Sequence, residues 1–375
     1  MPTKEPKGRR KGEKRSLRSF WRDWRVVIVL AVLILGAVAV YQLVFRPAQK
    51  RELEISAPYR PYFTQGGAGT PAPQGLEAEI LADVAKARES VDVATPGLDL
   101  EKLPAGLIEA RGRGVTVRVL EDQAAQADAT VAAVSGRLEQ AGIPIVLHPS
   151  GGGLGESFLV VDQRLVWAGS CALSQAGLQQ DAGYLVRWDL PALAQGFHSE
   201  FLEMFDDRSF GPSSPTDSPH TYLAVPDHGI ISIYFTPEGD PFGEILQALT
   251  GAQGEILVLT EKLADQRLAD RLIGEAQRPG VGLWGLVDPN GGSSPAIVGS
   301  LTQKAVQLAS YRGAGRLREN VLILDGQTVI LFSQALDQQA LDHNDGFVIV
   351  VRDQGLGQAF VQEFRRLFGQ AQGQP

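Results

Sequence analysis

From residue 76 onward the apolar positions switch between two spacings. In "LEAEILADVAKARES" (76–90), Leu76, Ile80, Leu81, Val84 and Ala87 recur at helical intervals, whereas "VDVAT" from Val91 alternates. The first pattern predicts a helix and the second a strand. "LPAGLIEARGRG" predicts a helix closed by Gly112 or Gly114. "VTVRVLED" predicts a strand, 124–141 a helix and "IPIVLH" from Ile143 an extended run. After the glycine-rich loop "SGGGLGE" (150–156), two apolar runs flank Asp162, "AGYLVRW" gives a further strand, and "LPALAQGFHSEFLEMF" gives an amphipathic helix.

The order then returns. "GEILQALTGAQ" is helical, "EILVLT" extended, "LADQRLADRLIGEAQ" helical and "VGLWGLVD" extended. "AIVGSLTQKAVQLASYRG" follows, then "NVLILD", "TVILFS" and "GFVIVV" as strands and "GQAFVQEFRRLF" as the last helix. Words repeat as well as order. "YFTQ" at Tyr62 returns as "YFTP" at Tyr234, "RGRGVTVRVLED" as "QRPGVGLWGLVD", and "SFLVVDQRLVWAGS" as "NVLILDGQTVILFS". Asp162 and Asp325 lie 163 residues apart, Gly114 and Gly280 166. A near-constant offset across several blocks predicts two copies of one structural unit. Strands alternating with helices make that unit α/β, with covered sheet faces. The expected units are 62–206 and 230–369, joined by a Ser/Pro-rich linker at 207–229 and followed by a short tail at 370–375.

Ahead of the first unit, residues 26–45 read "VVIVLAVLILGAVAVYQLVF" without a charge. That is the length of a helix crossing a bilayer core of about 30 Å. Fourteen of the twenty are Val, Ile, Leu or Phe, each favouring insertion by about 0.3–0.6 kcal/mol. Trp21, Trp24 and Tyr41 suit the two interfaces. Residues 1–25 hold ten Lys or Arg against three acids, so the positive-inside bias predicts a cytoplasmic N-terminus and an extracytoplasmic body. Residues 46–61 then form a stalk. Ala37-Val38-Ala39 also resembles a signal-peptide cleavage site; the long basic leader and the apolar run beyond it favour an uncleaved anchor.

Composition narrows the chemistry. The net charge is −8, and with +7 in the leader the remaining residues carry −15. That is a poor surface for nucleic acid. A single cysteine, Cys171, forms no internal disulfide. No CxxC, HExxH or clustered His pattern predicts a metal site, and no cofactor motif is present; "PNGGSSP" (289–295) lacks the lysine of a phosphate-binding loop.

The duplicated pattern resembles the phospholipase D superfamily. The likeness rests on Gly114-Val115, Asp122, Phe158 to Asp162, Gly169-Ser170, Gln180-Asp181 and Phe197 to Phe205 in the first half. In the second half it rests on Gly280-Val281, Asp288, Val321 to Asp325, Ser333, Asn344-Asp345 and Phe360 to Phe368. The resemblance implies two tandem α/β/α sandwich units related by a pseudo-twofold axis. It also implies a two-step phosphoryl transfer using one His-x-Lys-x4-Asp motif from each half. One His attacks phosphorus, the other protonates the leaving oxygen, and the lysines hold the non-bridging oxygens.

The residues depart from that motif. Gly155 and Ser157 stand where the first His and Lys are expected, and Arg318 and Asn320 where the second pair is expected; only Asp162 and Asp325 remain. Ala172 and Ala335 replace a further polar residue in each half. Glycine has no side chain to phosphorylate, and arginine is no general acid near neutral pH. The expectation is a pseudoenzyme without catalytic residues, anchored to a membrane and binding an envelope protein or an anionic, phosphate-containing ligand. Arg318, Asn320 and Ser157 are the candidate anion-binding residues. The alternative is a phosphodiesterase working through His148 or His343. Asp162 and Asp325 are also readable as hairpin-turn residues.

Overall fold

In the computed structural model the described residues are 57–64, 75–149, 153–215, 221–304 and 306–373. The expected leader, membrane span and most of the stalk lie outside them. Among the described residues, no helix is long and apolar enough to cross a membrane.

The first lobe runs β1 (Tyr59–Phe63), α1 (Leu76–Lys86), β2 (Ser90–Ala94), α2 (Leu103–Gly112), β3 (Thr116–Asp122), α3 (Ala129–Gln140), β4 (Ile145–His148), β5 (Ser157–Val161), β6 (Leu165–Gly169), β7 (Tyr184–Trp188) and α4 (Pro191–Phe205). The second runs β8 (Thr221–Val225), β9 (Gly229–Thr236), α5 (Phe242–Gly251), β10 (Glu255–Thr260), α6 (Gln266–Ala276), β11 (Gly282–Val287), α7 (Pro295–Gln303), β12 (Gln307–Ser310), β13 (Val321–Leu324), β14 (Thr328–Phe332), α8 (Gln338–His343), β15 (Gly346–Arg352) and α9 (Gln354–Ala371).

The two sheets have matching orders, β1-β7-β6-β5-β2-β3-β4 and β12-β11-β10-β13-β14-β15-β9-β8. In each, the three strands next to the crossover helices are parallel, and the hairpin strands and the edge partner run antiparallel. β5 and β6 are buried along their whole length. This is why they read as continuous apolar runs and not as alternating ones. The second sheet carries one strand more, β8, paired with β9.

Two boundaries differ from the sequence reading. Tyr59, placed in the stalk, begins β1; it pairs with Trp188, is buried, and its hydroxyl donates to the Asp353 carboxylate at the start of α9. The stretch 207–229, read as a linker, contains a helical turn at Gly211–Ser213 and the strand β8. Polar composition hid both, since pairing to an existing sheet edge stabilises strands of weak intrinsic preference.

Each lobe has an outer core between its sheet and α1–α3 or α5–α7. Between the sheets lies a third core common to both, filled by the closing helices α4 and α9. Phe197 on α4 packs on Phe158 of its own lobe at a centroid distance of 5.0 Å, and on Phe235 and Phe347 of the other at 5.3 and 5.0 Å. Phe360 on α9 meets Phe63 and Tyr184 across the same boundary. The described residues from Ala57 onward therefore form one compact unit.

Candidate functional site

The β5–β6 and β13–β14 hairpins turn through Asp162-Gln163 and Asp325-Gly326, all at positive φ near 50–60°. Three residues separate the last paired positions, Val161 from Leu165 and Leu324 from Thr328, and the first two take the positive φ of a tight hairpin turn. The Asp162 carboxylate accepts the backbone N–H groups of Arg88, Glu89 and Ser90 at 2.8–3.1 Å. The Asp325 carboxylate accepts those of Gln253, Gly254 and Glu255 at 2.7–2.8 Å. Each aspartate thus ties a hairpin turn to the start of β2 or β10. Asp162 and Asp325 hold the two hairpin turns in the same way.

The other motif positions lie at the opposite end of these hairpins, where the lobes meet. The Gly155 N–H donates to the Asp345 carbonyl at 2.7 Å, and the Arg318 N–H to the Ala182 carbonyl at 2.6 Å. The offset of 163 relates Gly155 to Arg318 and Ala182 to Asp345, so the two bonds are pseudo-twofold mates. Isolated bridges between Leu154 and Asp345 and between Ala182 and Leu317 follow the same rule.

A cavity of about 320 Å³ opens on this seam, and Gly155, Ser157, Arg318 and Asn320 all line it. So do Ala172, Ala335, Ser170, Ser333, Asp181, Glu261 and Gln334. The motif positions therefore converge as the duplication implied, but none is free chemistry. Ser157 Oγ donates to Thr95 Oγ1 at 3.3 Å, and Thr260 Oγ1, the mate of Thr95, donates to Asn320 Oδ1 at 3.0 Å. Ser170 and Ser333 accept the N–H groups of Tyr184 and Phe347.

Arg318 was a candidate anion ligand. It is held by the Glu261 carboxylate, its Nη1 reaching both oxygens at 2.8 and 2.7 Å, and it faces Asp181 at 3.5 Å. Arg316 shares Glu261 at 3.0 Å and donates to Asp288 at 2.9 Å. The cations of the seam are thus already matched by carboxylates, and an incoming anion must displace Glu261. The mate of Glu261 in the first lobe is Pro96, so this ion pair belongs to one side only. Its partners lie 57 residues apart, and no local pattern announces it.

The alternative histidines are elsewhere. His148 is buried, its Nε2 is 2.5 Å from Asp345 Oδ2, and its ring packs on Phe210. His343 is exposed at the end of α8. Neither lines the cavity, and among the described residues no histidine does. Cys171, wholly buried behind the seam, has its thiol pushed up to about 12 by burial, which keeps it protonated and inert.

A set of buried carboxyls escaped the sequence reading. Glu156, beside Gly155, and Glu200, on α4, have neither oxygen hydrogen-bonded. Burial holds both well above the usual carboxylate range, and neighbouring carboxyls, Asp345 and Glu238 among them, push further in the same direction. A sequence signal for Glu200 existed: it interrupts the apolar stripe formed by Phe197, Phe201 and Met204.

The family described as "Cardiolipin synthase, PLD-like domain" matches twice, over residues 80–205 and 245–369, one match to each lobe. The chain belongs to this family. Phosphatidylserine synthase from Haemophilus influenzae Rd KW20 superposes with a TM-score of 0.63 at 12% identity, covering 83% of this chain and 86% of that one. Polyphosphate kinase from Porphyromonas gingivalis superposes with a TM-score of 0.61 at 13% identity over 82% of this chain; the match spans 50% of the kinase. Nuc from Salmonella typhimurium, a phospholipase D family member, matches 37% of this chain and 94% of its own at 19% identity, with a TM-score of 0.35. No curated protein matches the sequence. At 12–13% identity the synthase and the kinase share the fold of this phospholipase D-like protein.

Proposed function

We propose that this phospholipase D-like protein is a pseudoenzyme that serves as a binding or scaffold module. Residues 26–45 would anchor it in the cytoplasmic membrane, with the basic leader inside and the body outside. One observation carries the reading: the four positions that would hold the paired His and Lys converge on one cavity as Gly, Ser, Arg and Asn. No imidazole and no lysine ammonium stands at those four positions. Loss of positioned acid–base help alone costs about 10²–10⁴-fold in rate, and loss of the nucleophile removes the two-step route.

The named relatives, a phosphatidylserine synthase and a polyphosphate kinase, make a phosphate-bearing ligand the natural candidate for the seam. The Glu261–Arg318 pair argues against simple anion capture, because binding must replace a two-point charge-assisted contact. Docking of an envelope protein on the body is therefore favoured over anion binding. The acidic body disfavours nucleic acid.

The test is steady-state turnover by the full chain, in detergent, of an aryl phosphodiester and of phosphatidylglycerol vesicles. No release above blank is expected, and His148→Ala should leave that result unchanged. Turnover that His148→Ala abolishes would restore the phosphodiesterase reading.

A further inference from the structure

The seam cavity has hydrogen-bonding capacity that the chain itself leaves unused. Ser170 and Ser333, pseudo-twofold mates, both line it. Each accepts one backbone N–H, from Tyr184 at 3.3 Å and from Phe347 at 2.9 Å. Among the described residues, neither hydroxyl donates to an acceptor. A hydroxyl has one proton and two lone pairs, so each serine still has a donor to offer. Asp181 supplies the complement. It lines the same cavity and is 8% exposed. Its Oδ1 accepts the Arg316 N–H at 2.9 Å. Its Oδ2 receives no hydrogen bond among the described residues. It faces Arg318 Nε at 3.5 Å, and the Nη1 of that arginine is committed to Glu261.

The local backbone brings Asp181 to this point. Residues 176–180 form a single π-helical turn, closed by the Asp181 N–H donating to the Ala176 carbonyl at 2.9 Å. Such wide turns recur at functional sites, and this one carries Ala176 and Gly177 to the cavity wall. The offset of 163 makes Asn344 the mate of Asp181, and Asn344 does not line the cavity. The carboxylate is therefore one-sided, as the Glu261–Arg318 pair is.

The lining narrows the ligand. An anion meets Asp181, Glu261 and a chain that carries −15 beyond the leader. A cation meets Arg318. A neutral group that both donates and accepts meets neither obstacle. Adjacent hydroxyls have this property: one gives its proton to Asp181 Oδ2, and their lone pairs receive the protons of Ser170 and Ser333. The bond to the carboxylate is charge-assisted and fixes the orientation. The cavity of about 320 Å³ is at the small end of sites for small molecules, which span about 300–1,000 Å³. It suits one ring and not a lipid or a polymer. Ala172 and Ala335 supply apolar wall for the carbon face of such a ring.

We propose that the seam cavity binds a neutral polyhydroxy compound, a single sugar or cyclitol ring, through Asp181, Ser170 and Ser333, an assignment that rests on reading the seam as a site that binds and does not cleave.

The experiment is isothermal calorimetry on the full chain in a detergent without a sugar head group. Glucose and inositol serve as neutral rings, glucose 6-phosphate as the anion and choline as the cation. At least one neutral ring should bind, and more tightly than either charged probe. Asp181→Asn should weaken that binding about fivefold, because a charge-assisted hydrogen bond becomes a neutral one. Ala335→Leu should abolish it by filling the cavity, with a thermal unfolding curve showing that the variant folds. No heat with either neutral ring, tighter binding of a charged probe, or neutral-ring binding unchanged in both variants would overturn the proposal. Each of these leaves the pseudoenzyme reading standing, since that reading is decided by phosphodiester turnover.

Discussion

Gln334 occupies the space that a side chain at Gly155 would need. A Cβ built on Gly155 falls 2.9 Å from Gln334 Cδ, closer still to its Oε1, and 3.1 Å from the Asp345 carbonyl oxygen. Gln334 cannot simply swing aside, because its Nε2 donates to Thr236 Oγ1 at 3.1 Å and to the Ala340 carbonyl at 3.0 Å. Position 155 leaves no room for a side chain.

Gly155→Ala should destabilise the protein by about 1–3 kcal/mol through overpacking. In a Gln334→Ala background the same substitution should cost less than half as much, giving a clear coupling in a double-mutant cycle. Urea unfolding of the four proteins measures it. Equal costs in both backgrounds would show that Gln334 is not what fills the site.

The matching shape of the two hairpins rests on Asp162 and Asp325. Asp162→Ala and Asp325→Ala should each lower stability by about 1–3 kcal/mol, as three backbone N–H groups lose their acceptor. The Asn variants should cost less, since Asn tolerates positive φ and keeps one acceptor oxygen. Similar losses in the two lobes are expected from the matched geometry, and denaturant midpoints test this.

Arg318 can be released. Glu261→Ala removes the carboxylate shared by Arg318 and Arg316. Inorganic phosphate should then bind in a salt-sensitive manner, at least tenfold more tightly than to the native sequence. Isothermal calorimetry reads this difference. Equal phosphate binding by both would show that the ion pair does not close the seam to anions.

The buried acids predict a pH dependence. A carboxyl whose folded pKa exceeds its unfolded value near 4.5 favours the native state at low pH, and stability falls as pH rises from there toward the folded value. The slope is at most about 1.4 kcal/mol per pH unit for each such group. The native sequence should lose stability above about pH 4.5 relative to Glu200→Gln, which lacks that titration. Unfolding curves of the two between pH 4 and pH 8 give the difference, and parallel profiles would contradict it.

Much of this molecule was legible in the chain because it is written twice. The runs around Asp162 and Asp325 fix two hairpins, and the offset between them pairs Gly155 with Arg318 in the sequence itself. What stayed hidden depends on contacts between distant segments. Phe197 reads as an ordinary apolar helix position, and nothing local says that it packs on Phe235 and Phe347 of the other lobe. "TYLAV" at 221–225 is short and follows a polar stretch, yet it pairs with β9. Arg318 looks available until Glu261 is brought to it by the fold. Glu200 alone broke its local pattern.

The central claim is that no histidine of this protein takes up a phosphoryl group in the two-step route. Intact-mass analysis of the full chain, quenched in alkali during incubation with bis(p-nitrophenyl) phosphate, tests it most directly, because a phosphohistidine survives those conditions. An unmodified mass at every time point is the predicted result. A p-nitrophenylphosphoryl adduct on His148 or His343 would contradict it.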